Sequence, residues 1–312
     1  MNLIVKLALI AWRNIWFTQA LHSRNPVDTD LLTCWDHTYN FGAKIFHLHT
    51  PKAAGCSVVS DLSSLLGRKN IYSYETCFRF SDSANFTALQ DTVVMIRQPR
   101  EHVFSQYQFC KLATDPGYRS AVRYLRGLPG QKNFHLANSF QNWTDEWTRR
   151  PRYGYHSIYE DYEFCYCPHN LQASRLACKD DRRCSATVDL DAAKRSLDAV
   201  TMLGVTEAYH ESLCLFHAHL MGELPDHCNC ESPNWTSYKE TRETHGESYE
   251  GSIEDMPPET IAQVDAMTQQ DKAIYQRGVK RFVADVQKME KRFGTKILCQ
   301  ERLKMLDQKA NY

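Results

Sequence analysis

Two short stretches of this 312-residue chain combine residue types that suit an anionic ligand. The first is His49-Thr50-Pro51-Lys52-Ala53-Ala54-Gly55-Cys56-Ser57. A loop entering a helix N-terminus presents unpaired backbone N–H groups, and the helix dipole favours an anion there. Gly55 admits a close backbone approach, Ser57 offers a helix cap and a hydroxyl, and Lys52 adds a mobile positive charge. This is not a Walker A loop, because the lysine precedes the glycine by three residues instead of following it. The second stretch is Arg97-Gln98-Pro99-Arg100-Glu101-His102-Val103-Phe104-Ser105-Gln106-Tyr107. Arg97 ends an apolar run, where a charge is costly without a partner. An arginine fork with a hydroxyl, here Ser105, makes a phosphate clamp. Ordinary structure competes with both readings: an exposed lysine in a turn, and an arginine paired with a surface acid.

The elements around these stretches form an alternating pattern. Lys44–His49 reads as a buried strand and Val58–Leu66 as a helix, with apolar residues at 58, 59, 62, 65 and 66. Asn70–Tyr74 suggests a second strand. Thr92–Ile96 is a β-branched run of the kind buried on both faces. Pro99 suits the first turn of a helix reaching about Cys110. Helices are expected over Tyr118–Leu128, Phe134–Arg149, Asp189–Leu197 and Glu207–Met221, with a strand over Ala199–Val205. Cys165–Cys184 reads as a disulfide-pinned loop, 222–258 as a long loop, and Pro257 to about Phe293 as a helical region. This order predicts an α/β fold with a mostly parallel sheet flanked by helices. Ligands in such sheets bind beyond the carboxyl ends of the strands, where both stretches fall.

Lys+Arg and Asp+Glu are both 37, so no general basic excess favours nucleic acid. The charge is uneven. Residues 97–152 hold ten basic and four acidic side chains, and 239–259 hold two and seven. A basic middle suits a small anion. The twelve cysteines include close pairs of the Cys-x-Cys type, Cys165/Cys167 and Cys228/Cys230, and no Cys-x-x-Cys. Disulfides are therefore expected rather than a metal site, with a link between the 165/167 and 178/184 pairs. Three Asn-x-Thr sequons, at Asn85, Asn142 and Asn234, agree with a secretory address. Residues 1–20 are apolar but interrupted by Lys6 and Arg13. They suit a signal peptide cut at Thr18-x-Ala20, or a signal anchor, better than a clean span, with an amphipathic surface helix as the alternative.

Taken together, the two stretches resemble the sulfotransferases that use 3′-phosphoadenosine 5′-phosphosulfate, especially the Golgi carbohydrate sulfotransferases. HTPKAAGCS is similar to that family's 5′-phosphosulfate loop, and IRQPREHVFSQY to its 3′-phosphate motif, with the same Arg-to-Ser spacing. Weaker resemblance continues in Leu203–Leu213 and Asp271–Tyr275, so it covers roughly residues 44–293. The family usually has Thr or Ser where Cys56 stands, and an acid or Asn is common where Gln98 stands. The resemblance implies a P-loop-like sulfotransferase fold and a co-substrate, 3′-phosphoadenosine 5′-phosphosulfate, without a metal. Lys52 would stabilise the leaving bridging oxygen. Ala54, Gly55, Cys56 and Ser57 would line the 5′-phosphosulfate, and Arg97 and Ser105 would hold the 3′-phosphate.

The acceptor would be a glycan or another hydroxyl compound in the secretory pathway, in the Golgi lumen, with membrane contact only through the N-terminal segment. Glu75 is the expected base, because it ends the second strand and no His stands between His49 and His102. His49 is the reserve candidate. The implied domain layout is signal segment 1–22, stem 23–43, catalytic domain 44–298 and tail 299–312. A nucleotide-dependent phosphotransferase and a non-catalytic secreted binding module are the competing functions.

Overall fold

The computed structural model describes residues 43–75, 91–112, 139–149, 166–178, 188–235 and 251–312. The expected signal segment, the stem, the Tyr118–Leu128 helix, the Asn85 sequon and residues 134–138 lie outside them.

Four short strands make one all-parallel sheet: β1 (Ile45–Leu48), β2 (Ile71–Tyr74), β3 (Asp91–Ile96) and β4 (Met202–Val205), in the order β2-β1-β3-β4. The fold is thus α/β with helices flanking a parallel sheet, as the alternation predicts. The chain leaves β1 for β2 on one side and returns to β3 on the other. The order therefore switches between β1 and β3, where the crevice at the carboxyl ends of an open sheet opens.

Strand alternation divides the core. Phe46, Leu48, Val94, Ile96, Leu203 and Val205 face one apolar cluster, while Ile45, Val93, Met95 and Met202 face the other. On the second face lies α1 (Gly55–Leu66), which brings Val58 and Leu62 at helical spacing. Gly67, at φ 82°, ends α1 and donates its N–H to the Ser63 carbonyl. A third cluster joins α2 (Pro99–Leu112) with α3 (Phe140–Arg149) through Tyr107, Phe140, Trp143 and Trp147. Trp143 is fully buried, so it belongs to the core.

The segment expected as a loop between Cys165 and Cys184 contains a helix, α4 (Leu171–Ala177). Its N-terminus is held from far away: Asp271 accepts from the N–H groups of Gln172 and Ala173 at 3.3 and 2.7 Å. In return Asn170 Oδ1 accepts from the N–H groups of Gln270 and Asp271 at 2.9 and 3.3 Å. Each helix start is capped by the other chain segment. The same exchange splits the expected 257–293 helical region into α7 (Pro258–Met267) and α8 (Gln269–Phe293), broken at Thr268. Between α4 and α7 come α5 (Leu190–Ala199), β4 and α6 (Tyr209–Met221).

The expected tail is a helix, α9 (Gln300–Ala310), with Leu306 fully buried in the core. It docks because Arg302 pairs with the buried Glu211 at 3.0 Å and Cys299 is bonded to Cys230. A second disulfide joins Cys214 to Cys228 and anchors the 222–235 segment to α6. Cys167 and Cys178 are each disulfide-bonded. Cys165 and Cys184 lie outside the described residues.

Close packing of α6 on β4 depends on Gly204. A Cβ there would stand 2.8 Å from the Phe216 ring and 2.9 Å from Ser212 Cβ. Neither atom is the free end of a flexible chain. Gly204→Ala should therefore destabilise the fold by about 1–3 kcal/mol through overpacking, read from urea unfolding midpoints.

Candidate functional site

Parallel register fixes which residues meet at the carboxyl edge. Leu48 pairs with Tyr74 and Val94, so Glu75 stands level with His49, and Arg97 lies three residues beyond Val94, the last β3 residue paired with β1. Ile96 pairs with Val205, which places Thr206 and Glu207 beside Arg97. Residues far apart in sequence thus form one row above the sheet.

The loop after β1 is held from the β3–α2 side. His102 donates its Nε2–H to the Pro51 carbonyl at 2.7 Å, and Arg97 Nη1 donates to the Lys52 carbonyl at 3.1 Å. Lys52 and Ala54 both have positive φ, 61° and 60°. Non-glycine residues leave that region unless their surroundings hold them there. Ala54 is the N-cap of α1 and supplies no side-chain cap. Ser57 is the third residue of the helix, so it is not the cap expected from the sequence. Val58 is the first residue to close the turn, donating to Ala54 O at 3.0 Å. The result is a helix start whose backbone donors suit an anion.

Gly55 also has a packing role: a Cβ on it would fall 1.9 Å from the His49 ring. Cys56 is disulfide-bonded. It gives the start of α1 a backbone N–H and a covalent tether rather than a thiol.

Lys52 lies 4.6 Å from the Phe109 ring centroid, Phe109 stacks on Tyr166, and Tyr166 donates its hydroxyl to Glu75 at 3.1–3.2 Å. Glu75 Oε1 is 3.9 Å from His49 Nδ1. One continuous chain of contacts therefore joins the two expected catalytic residues, Lys52 and Glu75, and includes His49. Phe109 and Tyr166 were not singled out for this role in the sequence. Their only signal is an aromatic type near a motif, which is shared with core residues such as Trp143.

Arg97 makes no ion pair among the described residues, and its Nε is buried with no hydrogen-bond partner. The surface-acid alternative is therefore not what the structure holds. Ser105 is 2% exposed within α2, and no hydrogen bond joins it to Arg97 among the described residues. Gln98 caps the start of α2: its Oε1 accepts from the Glu101 N–H at 2.8 Å.

His102, inside α2, is fully buried. Burial pushes its imidazole down to about 3, and the charges of Arg97 and Lys52 push the same way, outweighing the bond to Pro51. Gln106 Nε2 donates to its Nδ1 at 3.2 Å, completing a neutral Nε2–H tautomer. Two cations thus flank a histidine that stays uncharged. On the other side, burial first and Glu101 second raise the Glu207 carboxyl to about 7. Glu207 accepts from the Gln98 N–H and the Tyr275 hydroxyl at 2.8 and 3.0 Å.

The described residues contain one group with metal-ligand spacing, Cys214, His227 and Cys228. Its two sulfurs are bonded to each other, so neither is a thiolate ligand. No family model, curated protein or solved structure matches this chain.

His102 gives the site a pH signature. Its folded value lies below the unfolded value near 6.5, so the unfolded chain binds more protons between the two. Its contribution is present above about pH 6.5 and is lost as pH falls toward 3. His102→Gln keeps a donor for Pro51. Urea midpoints at pH 7.5 and pH 5 should differ less in this variant than in the wild type; equal differences would mean His102 carries none of the acid sensitivity.

Proposed function

We propose that the chain is a sulfotransferase of the secretory pathway. It would move a sulfuryl group from 3′-phosphoadenosine 5′-phosphosulfate to a hydroxyl of a carbohydrate or another acceptor. The observation that carries this reading is Arg97: a guanidinium at the end of a buried strand, with no acid paired to it among the described residues and Nε buried without a partner. Beside it lies an N-cap, Ala54, that makes no side-chain cap hydrogen bond. A ligand with two separate anionic groups suits that pair of features.

In this reading the α1 N-terminus, through the N–H groups of residues 54–57, receives the 5′-phosphosulfate, and Arg97 with Ser105 receives the 3′-phosphate. The acceptor oxygen attacks sulfur in line with the bridging oxygen. The new S–O bond forms as the bridging S–O bond breaks, and 3′-phosphoadenosine 5′-phosphate leaves. Lys52 stabilises the charge that grows on the bridging oxygen. Glu75 takes the acceptor proton, with the Tyr166 hydroxyl holding its carboxylate in place. Positioning and charge stabilisation supply most of the acceleration.

The cysteines support the location. The described cysteines are disulfide-bonded and none is free, which suits an oxidising compartment. Among the described residues no helix is long and apolar enough to cross a membrane.

Two variants test the assignment. Arg97→Ala should weaken binding of 3′-phosphoadenosine 5′-phosphate by at least about tenfold and leave adenosine 5′-phosphate nearly unaffected, measured by calorimetry. Equal losses would make Arg97 structural. Glu75→Gln keeps shape and hydrogen bonding but removes the base. Turnover should fall roughly 10²–10⁴-fold at unchanged nucleotide affinity, and a fall of only a few-fold would pass the role to His49.

A further inference from the structure

Every backbone polar group that could let Arg97 turn is engaged by a side chain from elsewhere. The Ile96 carbonyl accepts from Thr206 Oγ1 at 3.1 Å. The Gln98 N–H is taken by Glu207 Oε1 at 2.8 Å. Between them, Gln172 meets Arg97 twice. Its Oε1 accepts from the Arg97 N–H and its Nε2 donates to the Arg97 carbonyl, both at 2.8 Å. A side-chain amide here satisfies both main-chain groups of Arg97 just beyond the end of β3.

Gln172 is itself fixed. It is 1% exposed, and its own N–H donates to Asp271. The Asp271 carboxyl, raised to about 7 by burial, is anchored by α4 and belongs to the reciprocal caps of α4 and α8. The line of contact runs from two packed helices, through one amide, to the backbone of Arg97. The amide is also neutral. A glutamate at this place could accept from the N–H but would have no donor for the carbonyl, and its charge would compete for the guanidinium.

We propose that Gln172 is a positioning residue for anion recognition: it clamps the Arg97 backbone so that the guanidinium is aimed at the 3′-phosphate before the nucleotide arrives. This rests on the sulfotransferase reading of Arg97. The clamp leaves the charge free while removing backbone freedom, and so lowers the ordering cost of binding. Only Nη1 is engaged among the described contacts of the guanidinium, by the Lys52 carbonyl, so the same residue also couples the 3′-phosphate position to the loop that carries Lys52.

The test compares 3′-phosphoadenosine 5′-phosphate with adenosine 5′-phosphate on the full chain. Gln172→Met keeps length and apolar volume but loses both hydrogen bonds. It should reduce the wild-type preference for the 3′-phosphorylated nucleotide by about tenfold while adenosine 5′-phosphate binds as before. A merely structural residue would weaken both nucleotides alike. Gln172→Asn, which keeps an amide on a shorter stem, guards against loss of the fold and should give an intermediate preference. A wild-type preference that both variants retain overturns the role of Gln172 alone. A wild type that binds the two nucleotides equally overturns the reading of Arg97, and the clamp with it.

Discussion

A guanidinium at the end of a strand buried on both faces is the constraint on which the rest of the site depends. Placing it there buries Arg97 Nε without a partner while the sheet stops providing backbone partners. The chain answers with three side chains from two distant segments, Thr206 and Glu207 after β4 and Gln172 at the start of α4. None of these neutralises the arginine. Among the described residues the backbone around the charge is satisfied, and no acid is paired with the guanidinium.

The electrostatics are consistent with that arrangement. His102, packed against Pro51 and flanked by Lys52 and Arg97, is kept neutral by burial and by those two cations. A charged imidazole there would be a third cation sealed away from solvent. Glu207 binds a backbone N–H rather than the guanidinium, and burial raises its carboxyl. The packing of α8 and α9 on the sheet, with Arg302 on Glu211 and the Cys230–Cys299 bond, secures the Thr206–Glu207 turn from behind, since Arg302 also donates to the Glu207 carbonyl at 2.9 Å.

The parallel α/β architecture was legible because its signals are local. The β-branched run at Thr92–Ile96 marks a doubly buried strand, and Pro99 marks the start of α2. The edge position of Glu75 followed from the end of a short strand, and the register with β1 sets it beside His49. What escaped depends on distant partners. α4 exists at its place because Asp271, about a hundred residues away, caps it. The break at Thr268 is the other half of that exchange. Gly55 reads as a phosphate glycine, yet the ring it accommodates belongs to His49, whose rotamer no spacing reveals. The last residues look polar enough for a tail, and only the disulfide to Cys230 and the Arg302 pair turn them into a packed helix. Gln172 carries no motif, because its role is a pair of hydrogen bonds to backbone.

The central proposal is that Arg97 and the α1 N-terminus together form a site for a nucleotide phosphorylated at both the 3′ and 5′ positions. Thermal melting with 3′-phosphoadenosine 5′-phosphate, set against ATP at the same concentration, tests it most directly. A ligand that binds only the folded state raises the melting temperature in proportion to its affinity. The 3′-phosphorylated nucleotide should raise it by several degrees and ATP by much less. Stabilisation by ATP alone, or by neither nucleotide, would contradict the proposal.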